Sequence, residues 1–179
     1  MMTNAELAIL SLILEQPRHG YEIEQVIEER GMRDWTEVGF SSIYYLLKKL
    51  EKEGLIKGRL QQQPGRGPAR KVYQVTEKGR ERWHTATIQA LSQPQRPYAP
   101  FQLALANLPG LTKDETITAV RQYKNKLNQQ RDYVLARRQA AGHPLPSHVQ
   151  AMFDLSLTLI TAELSWLENF IEELNSADS

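Results

Sequence analysis

The 179-residue sequence contains no cysteine, which excludes disulfides, thiol catalysis and thiolate metal sites and fits a reducing compartment. No run approaches the roughly 18 apolar residues that a membrane span needs. The apolar stretch 7–14 has no lysine or arginine before it and no small-residue cleavage site after it. It therefore reads as a buried helix of a cytoplasmic protein and not as a signal peptide. Neither a Gly-x-Ser-x-Gly elbow, a Gly-x-x-x-x-Gly-Lys phosphate loop nor a Rossmann glycine pattern occurs, so an enzyme is not expected. Of the four histidines, His143 and His148 are five residues apart across two prolines and share no helix face, so neither a metal site nor a cofactor is expected.

What the sequence does contain centres on 38–76. From Ser41 to Glu53 the apolar period is helical. Ile43, Leu46, Leu47 and Leu50 form one stripe, and Ser41, Tyr45, Lys48 and Lys52 lie opposite, flanked by Ser42, Tyr44 and Lys49. Hydroxyls, aromatic rings and lysines without an acid among these seven suit phosphates and base edges. Gly54 closes the helix. The period then turns extended over 55–62 and 70–75, around a Pro-Gly-Arg-Gly-Pro tip at 64–68 that places Arg66 beside Arg70 and Lys71.

Charge is segregated in the same place. Residues 41–82 hold eleven bases and four acids, a local +7, whereas residues 1–40 hold three bases and eight acids, a local −5; the net +1 of the whole chain hides this. Upstream, Thr3 or Asn4 caps a first helix that ends before Pro17, Arg18-His19-Gly20 makes a turn, and a second helix runs from Tyr21 to about Arg30. Three helices and a ribbon in this order predict a winged helix-turn-helix. Thr76 then caps a fourth helix that runs to about Leu91.

Prolines at 94, 97 and 100 mark a stiff boundary, which gives a DNA-binding domain over 1–92 and a helical domain over 93–179. In the latter, a short apolar segment (101–108) precedes a capping box at Thr112 and Glu115. Long helices follow over about 113–141 and 147–174. The fold class is thus mainly α: a winged helix with a two-stranded wing, plus an all-helical domain. Two such helices carry more apolar surface than a lone hairpin buries, so packing against a second copy is expected. Val120, Leu127, Val134, Phe153, Ile160, Leu164, Leu167 and Ile171 are the expected dimerisation residues. Trp35, Trp83, Tyr98 and Phe101 fall near the junction and are the expected lining of an aromatic effector pocket.

Three ordered blocks carry a family resemblance: His19-Gly20-Tyr21-Glu22-Ile23, the run 42–56 (SIYYLLKKLEKEGLI), and the run 65–76 (GRGPARKVYQVT) with Gly79. They resemble the PadR family of bacterial transcriptional regulators over about the first 85 residues, and the helical tail resembles its longer subgroup. Ser41 and Tyr45 depart from the Gly and Pro common there. The resemblance implies a homodimer on a palindromic operator, usually a repressor, often released by a small molecule bound between the domains. It implies base-edge contacts from Ser41, Ser42, Tyr45 and Lys49, and backbone contacts from Tyr21, Tyr44, Lys48, Arg66, Arg70 and Lys71. The alternative is a protein-interaction module, which would have little use for an uncompensated basic face.

Overall fold

The structure, a computed structural model, describes residues 2–36, 38–39, 42–62, 69–94, 100–142 and 144–176. The chain divides into two compact units, Met1–Arg96 and Pro97–Ser179.

In the first unit, α1 (Asn4–Glu15) opens on Thr3. The Thr3 hydroxyl accepts the Glu6 amide at 3.2 Å and the Glu6 carboxylate takes the Thr3 amide at 2.8 Å, so two amides that the first turn leaves without helical partners are satisfied. There follow β1 (Arg18–His19), α2 (Gly20–Glu29), a 3-10 turn (Met32–Asp34), α3 (Ile43–Lys52), β2 (Ile56–Gln61), β3 (Arg70–Val75) and α4 (Glu77–Ser92). Ile9, Leu10, Leu12 and Ile13 of α1 meet Ile23 and Ile27 of α2, Ile43, Leu47 and Leu50 of α3, and Ile56 of β2, each at most 2% exposed. Each such burial stabilises by about 1.5–3 kcal/mol, which holds the apolar stripe of α3 inward and its other side outward.

The turn from α3 into the wing is a Schellman motif. Gly54, at φ +73°, donates to the Glu51 carbonyl and Leu55 to the Leu50 carbonyl, both at 2.9 Å. The strands run antiparallel in the order β1-β3-β2, with Ile56 opposite Val75 and Gln61 opposite Arg70. The wing is therefore the two-stranded ribbon expected, β2 with β3, and β1 adds a short third strand at its inner end. Arg18-His19, expected as a turn, pairs with Tyr73 and Val72. The buried Arg18 guanidinium donates to the Leu12 carbonyl and to Glu15, both at 3.0 Å, which pins this short strand to the end of α1. The helix expected from Ser41 starts at Ile43 with Ser42 as its N-cap; Ser41 lies outside the described residues.

Thr76 caps α4, its hydroxyl accepting the Gly79 amide at 3.1 Å and donating to the Gly54 carbonyl at 2.7 Å. The Trp83 indole donates to the Ser11 hydroxyl at 2.9 Å and so ties α4 to α1.

In the second unit, α5 (Pro100–Ala106) and a 3-10 turn (Leu108–Gly110) lead to α6 (Lys113–Ala140) and α7 (Ser147–Ser176). The Thr112–Glu115 capping box forms. Ion pairs Lys124–Glu168 and Arg138–Asp154, both at 2.8 Å, show that α6 and α7 run antiparallel. Val120, Leu127, Ile160, Leu164 and Leu167 are buried between them, with Val134, Ile171, Phe101, Tyr123 and Phe170 packed alongside.

Candidate nucleic-acid interface

Because Ile43, Leu46, Leu47 and Leu50 are buried, α3 presents Tyr44, Tyr45, Lys48 and Lys52 to solvent. Tyr44 and Tyr45 are 55% and 66% exposed, unusual for rings with this much apolar area. Among the described residues no side chain caps α3 and no acid lies in its first turn. Its free amide groups and positive dipole end suit an anion. The Ser42 hydroxyl donates to the Gly39 carbonyl at 2.7 Å, which leaves its lone pairs open to a donor.

A second group gathers where α2, α3 and β3 meet. Tyr21, Tyr44, Arg70 and Lys71 line one open cleft of about 440 Å³ with His19, Gly20 and Tyr73. Gly20 lets this happen: a Cβ there would stand 2.7 Å from Tyr44 Cε1. His19 begins α2 by accepting the Glu22 amide on Nδ1 at 3.1 Å, and its Nε2 lies 3.4 Å from the Arg70 guanidinium. Nearby, burial pushes the Tyr73 hydroxyl's pKa up.

Two of the expected cations already have acidic partners. Lys49 reaches back to Glu6, which is only 3% exposed, and Lys71 Nζ lies 2.7 Å from Glu51 Oε2. Glu6 is raised by burial, but Lys49 and the Thr3 amide outweigh that and hold its carboxyl below the ordinary value. The hydrogen bond to Glu6 in turn raises Lys49, as that to Glu51 raises Lys71. Glu51 therefore pairs across to the wing and not with Lys48. Glu6 and Glu51 are the site residues that reading the sequence missed. The Thr3-x-x-Glu6 box is legible as a cap, but nothing in the pattern announces a partner 43 positions away. Among the described residues Lys48, Lys52, Lys57, Arg59 and Arg70 form no ion pair. Arg66 and Tyr98 lie outside the described residues.

The aromatic residues expected at the junction sit as follows. Trp35 is 54% exposed, and Trp83 packs against the core of the first unit. In the second unit Phe101 stacks on Tyr123 with ring centroids 4.4 Å apart and meets Trp166 edge-on at 6.0 Å.

Residues 9–85 match the model of the Transcriptional regulator PadR-like family. The structure of Bacillus subtilis PadR in complex with operator DNA superposes with a TM-score of 0.78 at 23% identity, over 94% of this chain and 98% of that one. The same protein in complex with p-coumaric acid gives 0.80 at 22%, over 96% and 98%. The PadR-like transcriptional regulator BC1756 from Bacillus cereus gives 0.67 at 19%, over 94% of each. No curated protein sequence matches significantly. The matched family is one of regulators and not of enzymes, and no helix among the described residues is long and apolar enough to cross a membrane. Over residues 9–85 the chain is thus similar to the PadR-like family of transcriptional regulators.

Proposed function

We propose that the chain is a DNA-binding transcriptional regulator of the bacterial cytoplasm, a repressor that binds a palindromic operator as a homodimer and leaves it when a small molecule binds. The observation that carries this reading is the outward face of α3, with Tyr44, Tyr45, Lys48 and Lys52 exposed beside a cleft lined by Tyr21 and Arg70. In this reading α3 enters the major groove, with Ser41, Ser42 and Tyr45 as base-edge contacts, while Tyr21, Arg70 and Arg66 take the backbone. The solved complex of Bacillus subtilis PadR with operator DNA, of the same fold, supports it.

The homodimer is supported by α7. With its inward stripe committed to α6, it leaves Met152, Leu155, Leu159 and Trp166 exposed. With Ala162 these recur at alternating spacings of three and four, the period of a helical seam. Phe153, expected at the seam, is half-buried on the same helix. A homodimer reading a palindrome has its two α3 helices in major grooves about 34 Å apart. The effector is taken to be a planar aromatic compound, and p-coumaric acid, bound by Bacillus subtilis PadR, is the first to titrate.

The test is fluorescence anisotropy of the full chain on duplexes tiled across its own upstream region, with excess non-specific DNA present. Competitor-resistant binding to one inverted repeat by a species of twice the chain mass is expected. Binding that competitor abolishes on every duplex, there and in a genomic pool, refutes it.

A further inference from the structure

We infer that Glu51 is a positioning residue that ties the recognition helix to both wing strands, so that Lys71 acts through this carboxylate and not on a DNA phosphate. The inference rests on the DNA-binding reading above. Glu51 Oε1 accepts the amide of Gly58 on β2 at 3.0 Å, and Oε2 takes Nζ of Lys71 on β3 at 2.7 Å. One carboxylate on α3 thus holds a backbone group of one strand and a side chain of the other. A Cβ at Gly58 would stand 2.1 Å from Lys71 Cε and 2.8 Å from Glu51 Oε1, so glycine is what lets the lysine stem reach the acid. On its other side, Lys71 Nζ lies 5.5 Å from the centroid of the Tyr73 ring.

The clamp sits where the sheet needs one. β1 pairs only with Tyr73 and Val72, so from Lys71 toward the tip the wing is a two-stranded ribbon, a unit that is marginal alone. Anchoring the ribbon to α3 at this level sets the angle between the strands and the helix that lies in the groove. Sites that must meet a partner in two places depend on such support to within about 0.5 Å. A lysine held on a carboxylate also releases few counterions, so it contributes discrimination and not salt dependence.

The experiment uses the full chain, a duplex that the wild-type protein selects from a random pool, and the unselected pool, each titrated across a salt series. Glu51→Ala and Lys71→Met should each lower the ratio of selected to unselected affinity by about tenfold. The double variant should lose no more than either single one, with the slope of log K against log salt unchanged. In the free protein, the Gly58 amide should exchange faster in Glu51→Ala, with its protection restored in Glu51→Gln, which keeps the acceptor. Lys71→Met leaves α3 intact and reads the same ratio should Glu51→Ala melt. A Lys71→Met slope shallower by about 0.9 with the ratio unchanged would make Lys71 a phosphate contact and overturn the inference. Equal tightening on both duplex sets by Glu51→Ala overturns it too, by showing only the removal of a negative charge. A wild-type protein that selects no duplex refutes the DNA-binding reading itself, and the positioning role with it.

Discussion

Gly79→Ala sets helix propensity against sterics. Gly79 lies in the first turn of α4, where alanine should gain about 1 kcal/mol over glycine. Its Cβ, however, would stand 2.0 Å from the Leu55 carbonyl oxygen, 2.8 Å from Val75 Cγ2 and 3.0 Å from the Leu55 carbonyl carbon. That carbonyl is backbone and accepts the Thr76 amide at 3.0 Å, so it has no rotamer by which to retreat. Relief needs about 1 Å of movement between α4 and the start of β2, at a cost of about 1–3 kcal/mol in overpacking. Two or three hydrogen bonds at the cap are strained as well, each worth about 1 kcal/mol. The net loss is about 2–5 kcal/mol, a large part of the about 5–15 kcal/mol a domain has. In urea unfolding of the full chain, followed by far-UV circular dichroism and by exchange of the Ile23 and Leu47 amides, the first unit should open at clearly lower denaturant. Gly110→Ala, whose Cβ would meet nothing within 4 Å, should change stability by less than about 0.5 kcal/mol. A Gly79→Ala midpoint at or above that of the wild type would show that propensity wins and refute the steric argument.

Gly20→Ala presses on a movable ring and not on backbone, so it should leave the unfolding midpoint nearly unchanged while Tyr44 swings out of the cleft; anisotropy should then show weakened DNA binding, and unaltered affinity would remove Tyr44 from the interface. The Glu15 carboxyl is held below its ordinary value of 4.5 by hydrogen bonds from Arg30 and, to a lesser degree, Arg18. A depressed folded pKa means stability present above 4.5 and lost as pH falls through the lowered value. Glu15→Gln should therefore destabilise at neutral pH, modestly because the group is 42% exposed, and the gap in urea midpoint should close in acid; a gap independent of pH would exclude the ion pair as its source. Lys48→Gln should weaken all duplexes alike and lower the salt slope by about 0.9, whereas Lys49→Gln, by stranding the buried Glu6, should lower the melting temperature; the reverse pattern would exchange their roles.

Elements with a chemical start or stop were legible in the sequence. Thr76 and Thr112 cap where hydroxyls were expected to cap, and β3 occupies 70–75 because its alternation and the tip before it leave no other register. β1 was not legible, since two residues carry no period and their pairing depends on where Arg18 is buried. In the second unit, α7 has two apolar stripes with the same three-and-four spacing. One holds Ile160, Leu164 and Leu167 and the other Leu155, Leu159 and Trp166. Periodicity cannot say which is spent inside the chain; only the helix it folds against decides that, and α6 takes the first.

The same limit governs the charge of the interface. Counting along the chain sets a basic segment after an acidic one as though the two stayed apart, yet packing α1 on α3 carries Glu6 out of the acidic segment and onto Lys49. Within the basic segment, Glu51 takes Lys71 from 20 positions away, and Lys78 donates to the Glu53 carbonyl. The local +7 therefore overstates the charge offered to a phosphate, because these lysines are already solvated by protein oxygen. What remains open on α3 and the wing strands is Lys48, Lys52, Lys57, Arg59 and Arg70. The paired lysines lie where helix meets helix and helix meets wing. There, a cation facing a carboxylate fixes geometry, whereas one facing water is free to trade its counterions for DNA.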